Sequence, residues 1–129
     1  MAFAKSAYLA LLGMDSDPEQ VLPEEFVPLA ASMKKAGIPL GFYYSIMDWH
    51  HPDYLPRRAW EKDRTTKGAD FGRYMDFATN QIKELVTKYD PAVMWFDGEW
   101  EHSNSEQRAF AIGKMLLESW TSSLEGSGT

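Results

Sequence analysis

The chain has 129 residues, of which 44% are apolar and 25% are charged, as is typical of one soluble globular domain. Its formal net charge of −6, without a basic stripe, argues against a nucleic-acid partner. The sequence contains no cysteine, which excludes disulfides and thiolate metal sites, and no apolar run is long enough to span a membrane.

The two ends of the chain bear on its location and its domain limits. Residues 7–14 are apolar and follow Lys5, as in a short secretory signal, but they run into Asp15 without a clear small-residue cleavage site. We therefore reject a signal peptide and expect a cytoplasmic protein. Residues 122–129 are rich in serine and glycine, which is typical of a flexible tail, so one domain is expected over residues 1–121.

The first half of the chain predicts a helix followed by a buried strand. Residues 3–14 fit either a strand or a short helix. A helix is predicted from Pro23, a favourable first-turn residue, with its apolar residues on one face. Residues 38–45 are predicted to form a strand buried on both faces, and a polar and aromatic loop, residues 48–54, leaves its carboxyl end.

The second half predicts two helices on either side of a second buried strand. Residues 55–67 are charged and are expected to be exposed, and a long amphipathic helix is predicted over residues 69–89. The apolar run 92–96 is typical of a fully buried strand and ends at Asp97. Residues 103–106 resemble a capping box, which predicts that a third helix opens there.

This alternation of helices and strands predicts an α/β fold with two or three parallel strands and flanking helices. Both strands have the apolar pattern of strands that are buried on both faces and at both edges. A single copy of the chain would expose unpaired strand edges. Either other copies of the chain complete the sheet, which is the outcome we expect, or the protein is only marginally stable.

Asp97 lies where the second strand ends, and Gly98 then allows a sharp turn. Sheets wrapped by helices bind their ligands at the carboxyl ends of the strands, which is where a catalytic carboxylate would lie. The alternative is that Asp97 only begins a loop, and position alone does not decide between the two.

Two segments resemble the α-L-fucosidases of the retaining glycoside hydrolase family 29. The first joins residues 41–45 (Gly-Phe-Tyr-Tyr-Ser) to residues 48–54 (Asp-Trp-His-His-Pro-Asp-Tyr). The second is the helix of residues 81–91, which leads into residues 95–101 (Trp-Phe-Asp-Gly-Glu-Trp-Glu). The two segments together, at this spacing, are more specific than either alone.

The resemblance implies a fold, a reaction and three site residues. The family's catalytic domain is a (β/α)8 TIM barrel, and the aspartate of its Trp-x-Asp motif is the nucleophile, a role that falls on Asp97. The residues that contact the sugar in that family correspond to Tyr43 and Trp95 of this chain. The chain matches only two or three of the eight barrel strands and lacks the family's His-His-Asp-Gly and acid/base segments, so it resembles a central fragment of that domain.

Retaining hydrolysis needs a second carboxylate as acid/base, roughly 5–5.5 Å from the nucleophile. The nearest candidates are Glu99 and Glu101, which follow Asp97 in the same turn, and Asp48 at the end of the neighbouring strand. The alternative for each of the three is a solvated loop carboxylate. Another copy of the chain is a further source of the second carboxylate.

Asp48, Trp49 and His50 are also predicted to contact substrate, because their loop leaves a strand at its carboxyl end and aromatic rings there can bind sugars. The adjacent pair His50 and His51 cannot easily face one ion, so neither a metal nor any other cofactor is predicted.

Two functional hypotheses follow. The first is a fucosidase-like glycoside hydrolase that acts on fucose-containing glycosides through Asp97 and assembles as a homo-oligomer. Four copies with two strands each would match the eight strands of the barrel. The alternative is a catalytically silent fragment that assembles and at most binds sugar weakly.

Overall fold

The computed structural model describes residues 26–126. In this range the chain forms helix α1 (Phe26–Lys35), strand β1 (Gly41–Ser45), helix α2 (Phe71–Tyr89), strand β2 (Val93–Asp97) and helix α3 (Ala109–Gly126). A short 3₁₀ turn, Glu99–Glu101, follows β2. The α/β class and the parallel pairing are confirmed, because β1 and β2 form a two-stranded parallel sheet.

The predictions for residues 3–14 and for a helix start at Pro23 lie outside the described residues. Within residues 26–126, no helix has both the length and the apolar composition that crossing a bilayer requires.

Helix α2 shows why this stretch of sequence is helical. The Asp70 side chain caps its first turn by accepting hydrogen bonds from the backbone N–H groups of Gly72 and Arg73, at 2.7 and 3.3 Å. Asp90 ends the helix in the left-handed conformation, with φ of 46°, and Pro91 follows it. The predicted apolar stripe is buried from Tyr74 to Val86, and its end members Phe71 and Tyr89 are half-buried.

The core lies on one face of the sheet, against α2. The Tyr44 hydroxyl donates a hydrogen bond to Gln81 Oε1 at 3.0 Å, and the Tyr74 hydroxyl donates one to the Ile46 carbonyl at 2.5 Å. These bonds satisfy two buried tyrosine hydroxyls and attach the helix to the strand end. The apolar core consists of Phe42, Tyr44, Ile46, Tyr54, Tyr74, Met75, Ala78, Ile82, Leu85, Val86, Ile112 and Leu116.

The opposite face of the sheet is open. Val93 is 54% exposed and Trp95 is 67% exposed, and Tyr43, which lies directly opposite Trp95, is also exposed. The prediction that both strands are buried on both faces was therefore wrong for the chain by itself. Burial on two faces needs a layer on each, and among the described residues the helices cover one face only.

Helix α3 differs from its prediction at both ends. The capping-box bonds form between Ser103 and Glu106, but they close a turn, and the helix begins only at Ala109. Arg108 has a φ of 53° and redirects the chain, so that its guanidinium pairs with Asp76 of α2. The helix continues to Gly126, past the expected domain end at residue 121, so the first part of the predicted flexible tail is helical.

Most of the charged segment of residues 55–67 is exposed, as predicted, but its arginines are tied to the backbone of the loop after β1. Arg57 donates to the Tyr54 carbonyl at 2.8 Å, and Arg64 donates to the His50 carbonyl at 3.1 Å. Both arginines and Arg58 are half-buried. The arginines are partly covered because an irregular backbone needs donors for its carbonyl groups, and each arginine supplies five N–H donors.

Candidate active site

The carboxyl ends of β1 and β2 lie side by side. Ser45 is in register with Asp97, and the backbone N–H of Ile46 donates to the Asp97 carbonyl at 2.8 Å. Residues directly opposite in a parallel pair project to the same face, so Tyr43, Trp95 and Asp97 share the open face. The pairing thus brings together the three residues to which the resemblance assigned the nucleophile and the sugar contacts.

The Asp97 carboxylate is held by two donors. Its Oδ1 accepts the backbone N–H of Gly98 at 2.8 Å, and its Oδ2 accepts a short hydrogen bond from the Tyr43 hydroxyl. This bond to Asp97 raises the pKa of Tyr43, and partial burial and the charge of Glu99 act in the same direction. The hydroxyl therefore stays protonated at neutral pH, and its hydrogen bond orients the Asp97 carboxylate across the strand pair.

Gly98 is required by the turn that follows Asp97. Its φ is +83°, a backbone conformation that residues other than glycine rarely adopt. A Cβ at this position would also lie 2.9 Å from Cγ of Met47. Two constraints, conformation and close approach of the two loops, therefore select glycine directly after the carboxylate.

Glu101 is bound into an ion pair that sequence reasoning missed. Its carboxylate receives Arg58 Nη2 at 2.6 Å, a second contact from Nη1 of the same guanidinium, and the Tyr54 hydroxyl. Burial alone would raise the pKa of Glu101, but the hydrogen bonds from Arg58 and Tyr54 together lower it below its ordinary value. These bonds tie the loop after β1 to the turn after β2.

Glu99 and Asp48, the other two candidates for a second carboxylate, have different environments. Glu99 is exposed, and its charge contributes to the raised pKa of Tyr43. Asp48 is buried and accepts the backbone N–H groups of His50 and His51 at 3.0 and 3.2 Å. Its carboxylate therefore shapes the turn after β1.

The two remaining predicted contacts, Trp49 and His50, lie in the same loop. The Trp49 ring packs edge-to-face on Trp60 at 5.5 Å, and the Arg58 guanidinium lies 4.7 Å from its centroid. His50 is exposed, and its carbonyl accepts from Arg64. Between residues 26 and 126, no group of three histidine, aspartate or glutamate side chains is arranged to hold a metal ion.

Comparison with known proteins decides the family. The family model described as Alpha-L-fucosidase matches residues 13–125. The chain belongs to the alpha-L-fucosidase family. This confirms the resemblance seen in the sequence. No solved structure matches the chain.

Several curated alpha-L-fucosidases are similar to part of the chain. The one from Dictyostelium discoideum is 36% identical over 73 residues, which is 56% of this chain and 15% of that protein. The one from Branchiostoma floridae is 33% identical over 88 residues, 68% of this chain and 18% of that protein. The tissue alpha-L-fucosidase of Mus musculus is 36% identical over 73 residues, which is 57% of this chain and 15% of that protein. The chain thus spans less than a fifth of the length of these relatives.

The Glu101 ion pair yields a prediction about stability and pH. Glu101→Gln leaves Arg58 without its counter-charge, so we expect the free energy of unfolding to fall by about 3 kcal/mol at pH 7, measured by urea denaturation. Since the pKa of folded Glu101 lies below its ordinary 4.5, the pair stabilises the chain above pH 4.5. That contribution is lost as pH falls through the folded pKa, so the difference between variant and wild type should shrink in acid.

Glu118→Gln is the matched control, because Glu118 forms an exposed pair with Lys114 in α3. Exposed pairs contribute little, so this variant should track the wild type at every pH. A Glu101→Gln difference that stays constant from neutral pH into acid would contradict the assigned ion pair.

Proposed function

We propose that the chain acts in retaining hydrolysis of α-L-fucosides, with Asp97 as the nucleophile. The observation that carries the proposal is the placement of this carboxylate on the open face at the end of β2, oriented by Tyr43 and Gly98. Membership of the alpha-L-fucosidase family supports the same assignment. Trp95, exposed beside Tyr43, would line the fucose pocket.

The proposed reaction has two steps. In the first, one oxygen of Asp97 attacks the anomeric carbon, the glycosidic C–O bond breaks, and the leaving oxygen takes a proton from the acid/base carboxylic acid. In the second, the resulting carboxylate removes a proton from water, whose oxygen attacks the same carbon and releases Asp97. Tyr43 donates its hydrogen bond to the carboxylate whenever Asp97 is ionised and so fixes the attacking group.

Glu99 is the better candidate for the acid/base role. A general acid must hold a proton near neutral pH, so its pKa has to be raised. The pKa of Glu101 is shifted the opposite way by Arg58 and Tyr54, which suits a structural anion. Glu99 has an exposed side chain whose charge acts on Tyr43, the residue that binds Asp97.

Asp97→Ala should abolish turnover of an aryl α-L-fucoside, because no other group would form the covalent intermediate. Added azide should then restore part of the turnover and give the glycosyl azide of inverted configuration, identified by NMR. Asp63→Ala changes an exposed loop aspartate and should leave turnover unchanged. Unchanged turnover in Asp97→Ala refutes the assignment, and a wild-type chain without turnover favours the catalytically silent alternative.

Glu99→Gln tests the acid/base role through the leaving group. Activated aryl fucosides depart without much help from an acid, whereas alkyl or sugar leaving groups need the proton. We expect a loss of at least about 100-fold in kcat/KM for a fucosyl disaccharide and a much smaller loss for a nitrophenyl fucoside. Equal losses for both substrates would rule out Glu99 as the acid.

We further infer that the two strands are neighbouring strands of a (β/α)8 barrel and that copies of the chain complete it. The open face, with Val93, Trp95 and Tyr43, has the position of a barrel interior, and α2 has that of the outer ring. Among the described residues each strand has one partner, which leaves an edge on either side for another copy. About four copies would give the eight strands of the barrel.

The solution mass of the chain tests this assembly. We expect a mass well above 14.7 kDa by light scattering, near four times that value. Val93→Lys adds a charge to the open face and should dissociate the assembly, whereas Leu117→Lys changes a similarly exposed apolar residue of α3 and should not. A monomeric wild-type chain would contradict the inference.

A further inference from the structure

Helix α1 is only partly covered by the rest of the described structure. None of its ten residues is buried, although Val27 and Leu29 are apolar and 44% and 52% exposed. Helix α2, by contrast, buries its apolar stripe against the sheet. A ten-residue helix is marginal in water unless its apolar residues are packed against another element. Helix α1 therefore needs a cover that residues 26–126 do not supply.

The uncovered part of α1 borders a groove of about 770 Å³, here called the α1 groove. It is lined by α1, by residues 38–40 before β1, by residues 88–92 between α2 and β2, and by Trp120 of α3. Ile38, which is 54% exposed, adds apolar surface. The groove lies at the amino ends of both strands, whereas Asp97 lies at the carboxyl end of β2. It is therefore separate from the candidate active site.

Hydrogen bonds and ring contacts hold the lining of the α1 groove in place. The backbone N–H of Ala92 donates to the Leu40 carbonyl at 2.8 Å, and the Trp120 indole N–H donates to the Pro91 carbonyl at 3.1 Å. Phe26, the first residue of α1, packs edge-to-face on Tyr89 at 5.7 Å between ring centroids. A groove that is already formed loses little conformational entropy when it is occupied.

A polar group in the lining indicates what kind of molecule occupies the α1 groove. Tyr89 lines the groove, and its hydroxyl is buried without a hydrogen-bond partner in the described part of the chain. Buried hydroxyls in folded proteins normally have a partner, because an unpaired one costs free energy. A polypeptide brings one carbonyl acceptor per residue, whereas a hydrocarbon chain brings none. The occupant is therefore expected to be a peptide segment with apolar side chains.

The chain itself contains such a segment directly before α1. Residues 7–14 (Ala-Tyr-Leu-Ala-Leu-Leu-Gly-Met) are apolar, and only residues 15–25 separate them from Phe26. Those eleven residues can span up to about 36 Å when extended, whereas α1 is about 15 Å long. The apolar segment can therefore reach every part of the α1 groove.

The charges of the connecting residues match those of the α1 groove. Lys34, Lys88 and Asp90 line the groove, which gives its lining one net positive charge. Residues 15–25 contain five acidic side chains and no basic one. The covalent connection also gives the segment an effective concentration on the order of millimolar at the groove. A segment of the same chain therefore has an advantage over the same segment of another copy.

We propose that residues 7–14 dock in the α1 groove and form the missing cover of helix α1. The family model begins its match at residue 13, so most of this segment lies outside the part of the chain that the family defines. The proposal does not depend on the function assigned to Asp97. It gives the apolar run before Asp15 a structural role on the opposite end of the sheet.

Hydrogen exchange of the full chain, followed by mass spectrometry, tests the docking. A variant with Leu11→Asp and Leu12→Asp places two charges in the apolar segment. We expect the amides of α1 to exchange at least about tenfold faster in this variant, because the cover is lost. The amides of α2 should exchange at the wild-type rate.

Ser6→Asp with Ser16→Asp is the matched control, since it adds the same two charges on either side of the apolar segment. It should leave the exchange of α1 unchanged. Equal acceleration by the two double variants would overturn the docking. An α1 that is already unprotected in the wild type would overturn it as well.

Disulfide formation in the otherwise intact chain identifies the occupant. Because the chain has no cysteine, introduced pairs report without a background. Ala31→Cys in the groove is combined in turn with Leu9→Cys, Leu11→Cys and Leu12→Cys. We expect at least one pair to lose both free thiols on oxidation while the denatured protein keeps the mass of one chain.

Phe110→Cys replaces Ala31→Cys in the control pairs, because Phe110 is exposed and lies about 15 Å along α3 from Trp120. These control pairs should not form a disulfide within the chain. Disulfides that join two chains would overturn the proposal and indicate that a second copy occupies the groove. No disulfide from any of the three Ala31→Cys pairs would also overturn it.

Discussion

The parallel pairing of β1 with β2 is the constraint on which the rest of the structure depends. It sets Ser45 opposite Asp97 and Tyr43 opposite Trp95. A slip of one residue would turn every side chain of one strand to the other face. The buried tyrosines on the helix side oppose such a slip, because Tyr44 is hydrogen-bonded to Gln81 of α2. The core on one face thus fixes where Tyr43, Trp95 and Asp97 lie on the other.

Two further connections join the loops beyond the strand ends. Gly98 packs against Met47, and Glu101 is paired with Arg58 and Tyr54. Each connection spans the gap between the loop after β1 and the turn after β2. Together with the strand register they leave the backbone around Asp97 little freedom, which is what the proposed role of Asp97 as a nucleophile requires.

Local patterns in the sequence were enough to predict the two strands, the stripe of α2 and the position of Asp97 at a strand end. The pairing of Glu101 with Arg58 was not predictable in this way, since the two residues are 43 positions apart and neither has a distinctive neighbourhood. Burial of β2 was overestimated for a related reason. An apolar strand pattern indicates that both faces of the strand become buried. It does not indicate whether the same chain or another chain buries them.

The paired donors at Asp97 bear on how an ester at this residue would behave. A carboxylate oxygen carries two lone pairs, so Oδ2 can bond to carbon while the hydroxyl of Tyr43 stays nearby, and Oδ1 keeps the N–H of Gly98. Donors bind an anion more strongly than a neutral ester. In the proposed reaction both hydrogen bonds would therefore weaken when the sugar is attached to Asp97 and strengthen when it departs. This difference favours hydrolysis of the ester and disfavours a long-lived intermediate.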